Sequence, residues 1–408
     1  MFNNLLSTLI DWTQYPDNPA KALGKEISAM ADLFVRVAMY ATLALAALVV
    51  LFGVLVFVRN REKFSAYCKK VGLLSIGYFV GLAVAMLFIS FYKMYVKDYF
   101  VADVFVPTAV LLGVAIVGII AVFVCLTGNW KKALKVVAPV CGVLLVGALI
   151  YAFVALNNYF NAKIKDDGYY EGYEGNGITS FVGGWQMWVC SAVLVAAICV
   201  LAYFTDRKNK FVFDTRSIAF ASVCIAMSFA LSYIKIWEMP QGGSVTLASL
   251  LPLMLYSYMY GPKKGIFAGF IYGILQAVQD PWILHPAQFL LDYPVAFAAI
   301  GLAGIFANLK AFAKMPQVSF GLGAIVAGAF RYLSHFLSGV FAFSAYAIDA
   351  GATNLYVYSL AYNSFVFVDL ALVIVVGVLA LSSKALVAAL NKRSAAPVVE
   401  PLTENEEE

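Results

Sequence analysis

Residues 282–294 read WILHPAQFLLDYP, which places an ionisable side chain, Asp292, inside an otherwise apolar run. Ionisable groups are expensive in hydrocarbon, so an aspartate in such a run indicates a functional site. Three other polar signatures accompany it along the chain: WEMPQGGS at 237–244, RYLSHFLSG at 331–339 and YSLAYN at 358–363. Because they recur beside aromatics near predicted helix ends, they predict that a small polar ligand is held at membrane depth.

The composition of the chain predicts a membrane protein. Of its 408 residues, 63% are hydrophobic and 12% are charged, so a soluble fold would lack the polar surface to cover itself. The net charge of +5 comes from short Lys and Arg clusters between apolar runs, which argues against nucleic acid as a partner. The six cysteines show no metal-ligand spacing and no disulfide framework. We predict an all-α, polytopic membrane protein without a metal or cofactor.

A hydrocarbon core about 30 Å thick needs roughly 20 apolar residues per helix, which divides the chain into about eleven spans. Five fall near residues 33–58, 72–92, 104–126, 134–156 and 184–204. Six fall near residues 217–234, 246–260, 264–279, 287–308, 321–343 and 357–382. We therefore predict a five-helix N-terminal unit (1–205), a cytoplasmic linker (206–215), a six-helix unit (216–393) and an acidic disordered tail (394–408).

The distribution of basic residues predicts the orientation of the chain. Lys and Arg fall in every second loop, from Arg59 and Lys63 after the first span to Lys384 and Arg393 after the last. The positive-inside rule then places the N-terminus outside and the C-terminus in the cytoplasm. All four polar signatures would lie at the outer face or just below it.

Three glycines, Gly265, Gly269 and Gly273, form two overlapping small-xxx-small steps on one predicted helix face. In lipid such steps let a second helix approach closely. That helix belongs either to the same chain, which is the simpler interpretation, or to a partner.

The order and spacing of the motifs carry a resemblance to a known family. Pro-Gln-Gly-Gly-Ser, His-Pro-x-Gln before an acidic-Tyr-Pro, Arg-Tyr-x-x-His-x-x-x-Gly and Tyr-Ser-Leu-x-Tyr-Asn follow one another. The portion from about 213 to 393 resembles the thiamine-specific substrate-binding (S) component of energy-coupling factor (ECF) transporters, the ThiT/YuaJ family. The resemblance implies the six-helix S-component fold and leaves the N-terminal five helices unrecognised. Asp292 replaces the Glu of the family, and Phe343 stands where a Trp is expected.

The resemblance implies a set of ligand-binding residues. It includes Asp292, Tyr293, Trp282, His335, Gly339, Phe343, Tyr358 and Asn363. Four residues of the first loop add ligand contacts, with interfacial anchoring or turn formation as the alternative: Trp237, Glu238, Gln241 and Ser244. The Ala-x-x-x-Ala step of Ala226 and Ala230 is expected to contact a coupling subunit.

The chemistry of thiamine agrees with this assignment. Its permanently cationic thiazolium needs a counter-charge, which Asp292 supplies. The rings of Trp282, Tyr293 and Phe343 would each add about 0.5–2 kcal/mol to binding of a desolvated cation. The side chains of Asn363, Tyr358 and His335 are suited to directional bonds with the pyrimidine and the alcohol.

The resemblance further implies that the chain is not an enzyme but takes up thiamine across the cell membrane. The sequence contains no Gly-x-x-x-x-Gly-Lys-Ser/Thr phosphate loop, so a membrane coupling subunit and ATPase subunits are the expected partners. In that transport cycle the loaded S component topples in the membrane. Deletion of residues 1–205 is expected to leave ligand binding intact.

Several alternatives remain open. The ligand is a thiamine precursor or another cationic vitamin, or the chain is a membrane sensor that binds without transport. A membrane enzyme would use His335 and Asp292 as acid and base, although no nucleophile or metal cluster accompanies them. In purely structural interpretations, Asp292 forms an ion pair with Arg331 and His335 packs between helices.

Overall fold

The structure, a computed structural model, describes residues 19–96, 101–127, 130–166, 185–207, 211, 214–240, 242–343, 346–347, 350–383 and 387–388. Gln241 and the predicted disordered tail at 394–408 lie outside the described residues. Within the described part, nine helices are long and apolar enough to cross a membrane. The prediction of an all-α, polytopic membrane protein is confirmed, whereas the count of about eleven spans is not.

Five long helices fill the first half of the chain. They are α1 (Pro19–Arg59), α2 (Arg61–Val96), α3 (Ala102–Thr127), α4 (Lys131–Asp166) and α5 (Trp185–Thr205). Helix α1 packs along α2, and α3 packs along α4. The hydroxyls of Thr42 and Tyr78 lie 2.7 Å apart and join α1 to α2. Many of the described side chains of these helices are exposed and apolar, as contact with lipid requires.

Shorter elements begin the second half. Helix α6 (Thr215–Ser232) is followed by a two-stranded antiparallel hairpin, β1 (Lys235–Glu238) and β2 (Ser244–Thr246). Helices α7 (Leu251–Tyr260) and α8 (Pro262–Gln279) come next. The ten residues of α7 rise only about 15 Å, roughly half the hydrocarbon thickness. This length is one reason why fewer spans are found than the sequence predicts.

The helical stretch at 286–304 changes type along its length. It passes from α9 (Pro286–Leu290) through a π-helix (Leu291–Val295) and α10 (Ala296–Ala298) to a 3₁₀ helix (Ala299–Gly304). A short 3₁₀ turn (Lys310–Phe312) precedes the final helices, α11 (Pro316–Ala342), α12 (Leu355–Tyr362) and α13 (Phe365–Leu381). π-helical turns occur frequently at functional sites, and this one contains Asp292.

The chain divides into two compact units that do not follow chain order. The first unit comprises Met1–Ala192, Ile274–Tyr293 and His335–Tyr362. The second unit comprises Val193–Gly273, Pro294–Ser334 and Asn363–Glu408. The first unit therefore joins the N-terminal helices to two segments that carry predicted ligand-binding residues.

Close backbone packing in the second unit depends on glycine. A Cβ atom on Gly269 would clash with the carbonyl oxygen of Phe297, and one on Gly265 would clash with the side chain of Ser257. The hydroxyl of Ser257 donates to the carbonyl oxygen of Gly301. The small residues at 265 and 269 thus pack against elements of the same chain, which supports the simpler interpretation of these steps.

A buried ion pair organises the second unit. Arg331 Nη1 lies 2.8 Å from Asp369 Oδ2, and the two side chains are 6% and 2% exposed. Asp369 Oδ1 also accepts hydrogen bonds from the backbone nitrogen and the hydroxyl of Thr246, each at 3.1 Å, which ties β2 to α13. The carboxylate that pairs with Arg331 is thus that of Asp369, in the same unit.

Candidate ligand-binding site

The site begins at the turn that starts α9. His285 is the N-cap residue, and its Nδ1 accepts a hydrogen bond of 3.2 Å from the backbone nitrogen of Ala287. Pro286 occupies the first helical position, where a missing N–H costs nothing. Gln288 is fully buried one turn before Asp292, whose side chain is 16% exposed. The cap and the first turn therefore fix where the aspartate projects.

Three side chains hold the carboxylate of Asp292. Ser338 Oγ donates to Oδ2 at 2.6 Å, and Gln288 Nε2 donates to the same oxygen at 2.7 Å. His335 Nδ1 lies 3.0 Å from Oδ1. His335 and Ser338 are three residues apart on α11, so they share one helix face. A carboxylate accepts about four hydrogen bonds, so this one is oriented by its neighbours and retains acceptor capacity for a ligand.

The loop before α9 is fastened to the same framework. Gln288 Nε2 also donates to the carbonyl oxygen of Trp282 at 2.9 Å. The hydroxyl of Tyr293 accepts from the backbone nitrogen of Trp282 at 2.9 Å and donates to the carbonyl oxygen of Asp280 at 2.8 Å. Because its hydroxyl is engaged with the loop, Tyr293 has chiefly its ring to offer a ligand.

Aromatic rings accompany the carboxylate in the first unit. The ring centroids of Trp282 and Tyr346 are 6.1 Å apart, and those of Phe343 and Tyr346 are 5.8 Å apart. The ring of Tyr293 lies 5.8 Å from that of Phe289. Aromatic faces attract cations most strongly where water is excluded. An anionic group and several aromatic rings on the same segments are suited to an organic cation.

Two other predicted residues of the first unit lie on neighbouring helices. Gly339 follows Ser338 on α11, and Tyr358 lies on α12, where its ring stacks on that of Tyr362 at 6.0 Å. The hydroxyl of Ser359 donates to the carbonyl oxygen of Phe336 at 2.8 Å and so joins α12 to α11. The ligand roles of Gly339 and Tyr358 stay predictions.

The remaining predicted ligand residues belong to the second unit. Trp237 is 54% exposed on β1, and Glu238 pairs with Lys235 at 3.3 Å. Ser244 begins β2, and Asn363 is 6% exposed between α12 and α13. Their ligand roles stay predictions, as does that of Gln241, which lies outside the described residues.

The predicted partner contact on α6 needs a correction. Ala230 is only 1% exposed, so its methyl group is covered by the chain itself and offers no surface to a coupling subunit. Ala226 is partly buried, and its partner role stays a prediction.

Four side chains that hold the site or the second unit together were not among the residues predicted from the sequence. Gln288 and Ser338 hold Asp292, Tyr346 packs on both Trp282 and Phe343, and Asp369 pairs with Arg331. The sequence contained a signal for some of them. Gln288 precedes Asp292 by four residues, a spacing that brings helical side chains together, and Asp369 is the acidic residue of an apolar run. Among the described residues, no group of three or more His, Cys, Asp or Glu side chains could hold a metal ion.

Known proteins match the part of the chain that carries these motifs. The family model described as thiamine transporter protein (Thia_YuaJ) matches residues 218–389. The thiamine transporter ThiT of Bacillus subtilis (strain 168) is 37% identical over 134 residues, which cover 31% of this chain and 68% of that protein. The thiamine transporter ThiT of Lacticaseibacillus paracasei (strain ATCC 334) is 32% identical over 174 residues, 39% of this chain and 83% of that protein. A solved structure of ThiT from Listeria monocytogenes matches as well. The match covers 44% of this chain and 94% of the ThiT chain, with 22% sequence identity and a TM-score of 0.34.

Proposed function

Because the chain belongs to the thiamine transporter protein family, we propose that it binds thiamine at the Asp292 site and serves its uptake as the S component of an ECF-type transporter. One observation carries this proposal. The carboxylate of Asp292 is held by Ser338, Gln288 and His335 within the segments that bear the aromatic residues. It is an anion whose side chain is 16% exposed and whose orientation is fixed in advance by its neighbours.

The thiazolium of thiamine is the chemical complement of this arrangement. Its positive charge is permanent, and the carboxylate of Asp292 is the proposed counter-charge. Trp282, Tyr293 and Phe343 add ring faces worth about 0.5–2 kcal/mol each. Nanomolar affinity corresponds to roughly 12 kcal/mol, so the carboxylate and several rings must act together.

Ligand entry from the outer face follows from the proposed orientation. The positive-inside rule puts the N-terminus outside and the C-terminus in the cytoplasm, so the four signatures lie on the outer side of the membrane. The chain would then receive thiamine from outside and release it inside after coupling to ATP hydrolysis. The proposed partners are a membrane coupling subunit and ATPase subunits.

Uptake of labelled thiamine into cells that lack their own thiamine transporter tests the function. We expect uptake when the chain is co-expressed with a coupling subunit and active ATPases, and loss of uptake when the ATPases are inactivated. Tight binding without ATPase-dependent uptake would indicate a sensor. Complete displacement of labelled thiamine by an equal concentration of the pyrimidine precursor would instead favour the precursor as the ligand.

A further inference from the structure

The start of α5 packs against residues that flank the candidate site. Met187 is fully buried in a cluster with Ala287, Phe341 and Ala342. Trp188, Cys190, Leu337 and Phe343 pack against this cluster. All of these residues lie in the first unit. Helix α5 is N-terminal to the family match at 218–389, whereas Phe343 is a predicted ligand residue and Ala287 directly precedes Gln288 on α9.

Trp188 connects the N-terminal helices to the turn that begins α9. Its ring centroid lies 4.6 Å from that of Phe153 on α4 and 5.9 Å from that of His285, which it meets edge to face. Helix α4 also packs against α9. His285 is fully buried and caps α9, so the indole of Trp188 supports the residue that sets where α9 begins.

The His285 ring is held in one orientation. Its Nδ1 accepts the hydrogen bond from Ala287, so the neutral ring carries its proton on Nε2. That nitrogen is buried and has no hydrogen-bond partner among the described residues. The His285 ring is therefore held by one hydrogen bond and by packing against Trp188. A ring with two hydrogen bonds would depend less on this packing.

From these contacts we infer that the N-terminal helices support the binding site, with Trp188 and Met187 as positioning residues for it. Trp188 acts through His285 on α9, which carries Gln288 and Asp292. Met187 acts through the cluster against which Phe343 packs. This inference rests on the proposed function for the identity of the ligand. It reverses the expectation that residues 1–205 are dispensable for binding.

Calorimetric titration of the purified full chain with thiamine tests the inference. Trp188→Ala should raise the dissociation constant about tenfold or more, a loss typical of residues that orient binding groups. Trp188→Phe keeps an aromatic ring and should restore affinity to within about threefold of wild type. Trp130→Ala is the matched control, because Trp130 precedes α4 and is 58% exposed. It should bind as wild type does.

The outcomes distinguish a failure of the proposed function from a failure of the role inferred for the N-terminal helices. A folded wild type that does not bind thiamine overturns the proposed function. A wild type that binds tightly, together with a folded Trp188→Ala variant of equal affinity, overturns the role of the N-terminal helices. If Trp188→Ala does not fold, the thiamine affinity of the Met187→Ala variant tests the inference instead. An increase of about threefold or more in its dissociation constant supports the inference, and an unchanged constant contradicts it.

Discussion

Substitution of Asp292 by asparagine removes the charge of the site and preserves its shape. The asparagine oxygen can still accept from Ser338 or Gln288, which lie 2.6 and 2.7 Å from Oδ2 in the wild type. Any loss of affinity for a cationic ligand then reports the charge itself. Asp103→Asn is a suitable control, because Asp103 is an exposed aspartate in the first turn of α3.

The expected loss follows from the environment of the carboxylate. Two unit charges about 4 Å apart attract each other by about 4 kcal/mol at an effective dielectric constant of about 20. Removing water from the ligand cation offsets part of this, and charged hydrogen bonds contribute a net 1.5–3 kcal/mol. The side chain of Asp292 is 16% exposed, so screening is limited. A net loss of about 2 kcal/mol corresponds to a dissociation constant about 30-fold higher.

Calorimetry with two ligands separates charge from shape. Thiamine is titrated beside an analogue in which a neutral thiophene ring replaces the thiazolium. Asp292→Asn should weaken thiamine binding about 30-fold and analogue binding less than about threefold. An equal loss for both ligands would refute the role of Asp292 as counter-charge. Unchanged thiamine affinity would remove Asp292 from the site altogether.

Three further substitutions test the framework of the two units. Ser338→Ala removes a charge-assisted hydrogen bond of 2.6 Å and should raise the thiamine dissociation constant about tenfold in the same titration. Arg331→Met leaves Asp369 buried without its cation and should cost about 3–5 kcal/mol of unfolding free energy, much of which the double variant with Asp369→Leu should recover. Gly269→Ala should cost about 1–3 kcal/mol, because its Cβ meets the backbone. Gly77→Ala, where a Cβ meets nothing within 4 Å, should cost nothing. Denaturant titration in detergent measures the unfolding free energy of all the variants at 331, 369, 269 and 77.

Each of these predictions would be contradicted by a specific result. Undiminished thiamine affinity of the Ser338→Ala variant would mean that the hydrogen bond from this hydroxyl to Asp292 does not contribute to binding. A double variant at 331 and 369 as unstable as the single one would show that the pair itself contributes net stability. Equal stability of the two alanine variants at 269 and 77 would contradict the close backbone packing of α8.

The helices and the family could be predicted from the sequence because both depend on local patterns. Apolar runs mark the five N-terminal spans, and the structure has a candidate span at each. The motifs around Asp292 identified the family, and that prediction is confirmed, as is the prediction that the chain is not an enzyme. Asp292 and His335 were both predicted as ligand-binding residues, and in the structure His335 Nδ1 lies 3.0 Å from Asp292 Oδ1.

Other features depend on long-range contacts that no local pattern shows. The hairpin of β1 and β2 is anchored by Thr246 to Asp369, which lies far along the chain. The sequence suggested Arg331 only as a possible ion-pair partner of Asp292, and no local pattern showed that Arg331 pairs with Asp369. The packing of Met187 and Trp188 beside the site depends on tertiary contacts of α5. The sequence of an apolar helix does not indicate which other helix it packs against.

Equilibrium binding of thiamine to the purified full chain, measured by isothermal titration calorimetry near neutral pH, tests the central claim most directly. We expect one site per chain with a dissociation constant in the nanomolar range, equivalent to roughly 12 kcal/mol. A folded protein that gives no heat of binding with thiamine, even at about millimolar concentration, would contradict it.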